Sequence, residues 1–187
     1  MDARPVIVAL AGPNGAGKTT FYESHLRPSG LRFLNADVFA HEIEMDPYRA
    51  AQLVANLRNE LAAQKQSFIF ETVFSDPIGD KLTFLKEASQ AGFTVALCFI
   101  GISSPGRSDE RVAMRVSQGG HDVPNEKLLP RFFRSLANLK RAIRELPHVL
   151  IFDNDDLQMP FRLVAIFRNG RQVTLNQPVP AWLKEII

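Results

Sequence analysis

Gly12-Pro13-Asn14-Gly15-Ala16-Gly17-Lys18-Thr19 places a glycine, four further residues and then Gly-Lys-Thr directly behind an apolar run. Small residues in this order let successive backbone N–H groups turn inward on a phosphate, and the helix opening behind them adds its partial positive charge. Lys18 would bring a full charge to the terminal phosphates of a nucleotide, and the Thr19 hydroxyl is placed to ligate Mg2+. The chemistry this predicts is nucleoside triphosphate binding, with Mg2+ as the expected metal. The bland alternative is a glycine-rich turn that contains a lysine by chance.

A phosphate cradle serves hydrolases, switches and kinases alike, so the acids around it carry the choice. In Asn35-Ala36-Asp37, Asp37 could accept the proton of an attacking hydroxyl or hold Mg2+ through water. Equally, the segment could be a helix cap. Glu71 after Phe68-Ile69-Phe70 and Asp153 after Leu150-Ile151-Phe152 both read as an acid at the end of an apolar strand, the pattern of a metal-side carboxylate. Only one of them can fill that role, and either could be a polar strand end facing solvent.

The cations gather further along. Arg111 and Arg115 share one helix face, and Lys127, Arg131, Arg134, Asn138 and Arg141 form a stripe on the next helix. Leu129, Phe132, Phe133, Leu136, Leu139, Ile143 and Leu146 form the opposite face, expected to pack. Residues 105–146 hold nine Lys/Arg against five Asp/Glu, a net +4 in a chain of net +2. Arginines delivered by a closing helical lid stabilise the charge of a transferring phosphoryl group, whereas a solvated basic face has no such role. Between the two helices, Gly119-Gly120-His121 permits hinge motion or close phosphate approach. His25, His41 and His148 read as ordinary surface or core residues.

These residues need a scaffold, and the apolar pattern supplies one. Short strands apolar on both faces at Pro5 to Ala11, Leu31 to Leu34, Ser67 to Phe70, Phe93 to Ile102 and Val149 to Phe152 alternate with helical segments. The first helix is expected at about Gly17 to Arg27, with others at Pro47 to Ala63, Ile78 to Ala91, Pro105 to Ser117 and, after a loop from Gln118 to Pro124, a longer one to about Leu146. The pattern predicts parallel βαβ units with helices on both faces, an α/β three-layer sandwich of the P-loop type. Asn169-Gly170 between apolar runs predicts a hairpin over 162–176. Ligands of such sheets bind beyond the carboxyl ends of the strands, where Gly12 to Thr19, Asn35 to Asp37, Glu71-Thr72, Ser103 to Arg107 and Asp153-Asn154 all fall.

Composition sets the limits. The 187 residues suit a single domain, and 45% hydrophobic with 22% charged residues excludes global disorder. A net charge of +2 makes a charge-driven nucleic-acid binder an unfavoured reading. The longest apolar run, Phe93 to Ile102, is half of the roughly 20 residues a bilayer span needs, so no membrane role and a cytoplasmic setting are expected. A lone Cys98 inside that run reads as a buried thiol.

The phosphate loop, Asn35-Ala36-Asp37, the Phe68-Ile-Phe-Glu-Thr72 strand end, and Arg111-Val-Ala-Met-Arg115 leading to Gly119-Gly-His-Asp-Val-Pro124 together resemble the zeta-toxin family of P-loop kinases. More narrowly they are similar to small stand-alone bacterial proteins labelled predicted ABC-type ATPases. The resemblance covers about Val6 to Asn154 and implies a five-stranded parallel sheet in the order 2-3-1-4-5 with a helical lid. It implies ATP-dependent phosphorylation of a small-molecule hydroxyl, a sugar nucleotide among the candidates, and a potential antitoxin partner. On this likeness Gly12 to Thr19, Thr20, Arg111 and Asn154 face the nucleotide, and Asp37 is the base. Glu71, Thr72 and His121 line the acceptor pocket, and Arg115 clamps the phosphates with Arg131 or Arg134. A nucleotide switch or antitoxin-bound protein of slow turnover is the alternative, with a nucleic-acid 5′-hydroxyl kinase third.

Overall fold

The computed structural model describes residues 4–117 and 125–187, with the side chains of 115–117 and 125–127 also outside the described set. Strand β1 (Val6–Ala11) runs into the glycine loop and a short helix α1 (Lys18–Phe21). The expected continuous helix is instead α1, a π turn (Tyr22–Leu26) and a 3-10 turn (Arg27–Ser29). These turns set Tyr22 flat on Phe33, with ring centroids 3.7 Å apart, and His25 flat on Phe21 at 4.5 Å. The aromatic stack closes the sheet face that α1 alone is too short to cover.

After β2 (Arg32–Leu34) come α2 (Ala36–Glu42) and α3 (Pro47–Ala63). Asn35 caps α2, its side chain accepting from the amides of Asp37 and Val38, and Asp46 caps α3 in the same way ahead of Pro47. Then follow β3 (Phe68–Thr72), α4 (Asp80–Gln90), β4 (Thr94–Gly101), α5 (Pro105–Ser117), α6 (Asn125–Glu145), β5 (His148–Asp153), β6 (Arg162–Arg168), β7 (Arg171–Leu175) and α7 (Ala181–Lys184).

The strand order is β2-β3-β1-β4-β5-β6-β7. The first five strands are parallel in the expected order, but the sheet is mixed and seven-stranded, because the hairpin extends it antiparallel from β5. Without β6, the outer edge of β5 would expose unpaired N–H and C=O groups. Asn169 and Gly170 both take positive φ at the turn, as a tight two-residue hairpin connection requires. On one face of the sheet, Ile7, Phe68, Phe70 and Leu97 pack against α3, α4, α6 and α7; on the other, Leu10, Ile69 and Ile100 pack with Phe21 and Phe132.

Helix α6 departs from its expected packing face. Leu129 and Phe133 are exposed, whereas Ser135 and Asn138 are buried beside Leu139, Ala142 and Ile143. Asn138 tolerates burial because its Nδ2 donates to the carbonyls of Phe74 (2.9 Å) and Asp76 (3.1 Å). Cys98 is buried, and desolvation pushes its thiol up to about 12, which leaves it unreactive near neutrality.

The C-terminal helix locks the end of the sheet. The Trp182 indole N–H donates to Asp153 Oδ1 at 2.9 Å, and its ring fills the space above Gly101, where a Cβ would lie 2.1 Å from the indole. Trp182→Ala is expected to lower stability by about 3–5 kcal/mol, through the cavity and the loss of a donor to a buried carboxylate. Urea unfolding followed by far-UV circular dichroism measures this, and a loss under 1 kcal/mol would contradict the lock.

Candidate active site

The parallel register sets the site. Glu71 of β3 lies opposite Leu10 of β1, and Thr72 opposite Ala11, so the end of β3 stands beside the start of the glycine loop. Gly12 has φ +144°, and a Cβ there would lie 2.2 Å from the Ile100 carbonyl oxygen, so only glycine lets the loop leave β1 this close to β4. Lys18 is 7% exposed and its Nζ donates to the Pro13 carbonyl at 3.1 Å. The amine therefore folds back along the loop, in the position from which it could reach an anion lying in the cradle.

Of the two acids at strand ends, Glu71 faces the loop. Its Oε2 accepts from Thr19 Oγ1 (3.0 Å) and Asn35 Nδ2 (2.9 Å), and its Oε1 lies 3.7 Å from Lys18 Nζ. Asp153 is turned away to Trp182 and Arg162. Burial pushes its carboxyl above the usual range, opposed in part by the Trp182 hydrogen bond. Asp153 thus belongs to the C-terminal lock.

Two clefts share Glu71 as a wall. One, of about 250 Å3, is lined by Gly15, Gly17, Lys18, Thr19, Thr20 and Arg111. The other, of about 260 Å3, lies between α2, α3 and β3, with Asn35, Asp37, Arg58, Thr72 and Lys81 among its lining residues. Asp37 is exposed in the first turn of α2, and the cap of that helix is the Asn35 side chain, so the Asp37 carboxylate is not used for capping. Thr72 lines the second cleft, while its Oγ1 accepts from the amide of Phe74.

The remaining expected residues divide. Arg111 lines the phosphate-side cleft and donates to the Asp155 carbonyl at 3.2 Å. Asn154 sits behind the loop, its Nδ2 on the Ala16 carbonyl (2.9 Å), so it braces the cradle from outside the cleft. Asn14 joins α5 through its carbonyl, which accepts from Ser108 Oγ at 2.7 Å. Arg134 donates through Nε to the Ser75 carbonyl at 2.8 Å, which ties it to the β3–α4 loop, and Arg131 is half-buried on α6 without a hydrogen bond to a described residue. Arg115 stands in α5 with its side chain outside the described residues, and His121 lies outside them entirely.

Arg58 and Lys81 were not among the expected site residues, whereas Asn35 was expected only as part of the strand-end segment Asn35 to Asp37. For Arg58 the signal was present: it falls four residues after Val54 and three before Leu61, on the apolar face of α3. A cation at a core-facing position is a departure from the pattern that asks for a reason.

A glycine loop leaving β1 and closing on Gly17, with Lys18 and Thr19 opening α1, in a sheet whose parallel strands run in the order 2-3-1-4-5, defines a P-loop α/β domain. A family model described as AAA domain matches residues 7–131, and the chain belongs to that family. No curated protein matches it in sequence. Among solved structures it is similar to a chain of the AvrRxo1-ORF1:AvrRxo1-ORF2 complex with ATP, at 17% identity and TM-score 0.75. That match covers 99% of this chain and 64% of the other, so the present chain spans less than two thirds of that relative. It is also similar to the PezAT chromosomal toxin-antitoxin system of Streptococcus pneumoniae, at 17% identity and TM-score 0.63, covering 100% and 79%. A third likeness is to the Pnkp1/Rnl/Hen1 RNA repair complex, at 15% identity and TM-score 0.58, covering 94% and 52%. At these identities the likeness is one of fold. No described helix is long and apolar enough to cross a membrane.

Proposed function

We propose that this chain transfers the γ-phosphoryl group of ATP to a hydroxyl of a small molecule. The observation that carries the reading is the shared wall. Glu71 separates a cleft holding Lys18 and Thr19 from a second cleft holding an uncapped carboxylate, Asp37, so a phosphate donor and a hydroxyl acceptor have adjoining places. In the first cleft the loop amides and Lys18 bind and orient the phosphates. In the second, Asp37 takes the hydroxyl proton while the acceptor oxygen bonds to the γ-phosphorus and the bond to the β–γ bridging oxygen breaks, releasing ADP.

The site fits Mg2+, since Thr19 Oγ1 and Glu71 Oε2 are hard oxygen donors 3.0 Å apart on the phosphate side. Bound there, the ion would neutralise charge on the β- and γ-phosphates. Among the described residues no group of three or more His, Cys, Asp or Glu side chains could hold a metal ion.

Incubation with γ-labelled ATP and a small-molecule extract should move label into a new organic phosphate. Label appearing only as inorganic phosphate would replace this reading with slow hydrolysis. A second reading is favoured by the likeness to two assemblies with a second protein, AvrRxo1-ORF1:AvrRxo1-ORF2 and PezAT: the chain is held by an antitoxin-like partner that limits its turnover.

A further inference from the structure

Helix α3 turns Val54 and Leu61 into the core, and between them on that face lie Leu57, which packs on the core, and Arg58. Its guanidinium carbon lies 4.4 Å from the ring centre of Phe84 and 5.5 Å from that of Phe70, so two aromatic faces hold the cation in place. The Nε is buried without a hydrogen-bond partner, and no described residue forms a hydrogen bond or close ion pair with the side chain. A buried donor left unpaired is costly, and folded chains keep few of them. Burial lowers the pKa of Arg58, while Asp76 and Asp80 oppose the shift and help to keep it charged.

The position of this cation gives it a use. Arg58 lines the same cleft as Asp37 and Glu71, and Lys81 lines it as well. Of the two carboxylates there, Glu71 is engaged by Lys18, Thr19 and Asn35, which leaves the two cations without a bonded anion inside the cleft. A cleft of about 260 Å3 admits a compact molecule.

Resting on the kinase reading, we propose that Arg58, assisted by Lys81, is an anion subsite, and that the acceptor is a hydroxyl compound bearing a carboxylate or phosphate ester. A guanidinium fork accepts either anion through paired N–H donors. Holding the anion at Arg58 orients the hydroxyl toward Asp37, so the subsite selects the acceptor and positions it.

Two measurements test this. In the first, the small-molecule extract is divided by anion exchange into anionic and neutral fractions, and each is incubated with the full chain and γ-labelled ATP. The label is expected in the anionic fraction only. Phosphatase treatment of that fraction beforehand removes the acceptor if its anion is a phosphate ester and spares it if a carboxylate. Arg58→Gln should then lower kcat/KM for that acceptor by about 10²-fold or more, mainly through KM, with the KM for ATP within a few-fold. Transfer to a neutral compound, or an Arg58→Gln variant with unchanged acceptor KM, would overturn the proposal and leave the kinase reading intact.

The second measurement needs no turnover. With a non-hydrolysable ATP analogue filling the phosphate loop, inorganic phosphate is titrated while the Arg58 Nε–H resonance of the wild-type chain is followed by NMR. A saturable shift is expected, and its absence overturns the subsite whatever the variant does. A saturable shift with no label transferred to either fraction would leave the anion site standing and refute the kinase reading.

Discussion

Lys18→Ala is expected to lower kcat/KM for phosphoryl transfer by about 10³-fold or more, the scale of removing a fixed charge aimed at the transferring group. The side chain is almost wholly buried and lies 3.7 Å from Glu71, so its loss also leaves that carboxylate less balanced. The fold should survive, because Glu71 retains Thr19 and Asn35 as donors. Nucleotide affinity should fall as well, since the charge acts on bound ATP and on the transition state. Isothermal titration with ATP and Mg2+, together with initial rates and a far-UV spectrum, measures all three. Wild-type affinity and turnover in a folded variant would remove the phosphate-loop reading despite the sequence pattern.

Asp37→Asn should act on the other half of the reaction. The cap of α2 is Asn35, so amidation of Asp37 leaves that helix start intact, and the variant is expected to fold normally. ATP affinity should stay within a few-fold, because Asp37 lines the second cleft and not the cradle. The rate of transfer to the acceptor should fall by about 10²–10⁴-fold, the usual contribution of a positioned general base. Initial rates over a range of Mg2+ concentrations separate the roles. A rate loss that excess Mg2+ repairs would make Asp37 a metal-side ligand, and an unchanged rate would leave it no chemical part.

The glycine loop was legible because its shape is carried by the backbone. A glycine that must leave β1 within reach of the Ile100 carbonyl, and a Lys-Thr pair that must open a helix, are fixed by local geometry, which the chain spells out in order. The alternation of strand and helix was legible for the same reason. The choice between Glu71 and Asp153 was not, since both end apolar strands and only the register decides which one meets Thr19. Neither was the fate of the basic stripe on α6. Arg134 and Asn138 sit at the expected spacing, but their partners are carbonyls of residues 74–76, about sixty positions away. The hairpin turn could be read from Asn169-Gly170, whereas its docking on β5 is a long-range pairing that no local pattern encodes.

The shared position of Glu71 has a thermodynamic corollary. One of its oxygens accepts from both Thr19 and Asn35, groups that belong to different clefts. A ligand that draws Thr19 away on one side changes the hydrogen bonding available to Asn35 on the other. On the kinase reading, linkage then makes the effect mutual: the factor by which the donor nucleotide alters acceptor affinity equals the factor by which the acceptor alters nucleotide affinity. The two substrates would therefore report on each other's occupancy through a single carboxylate.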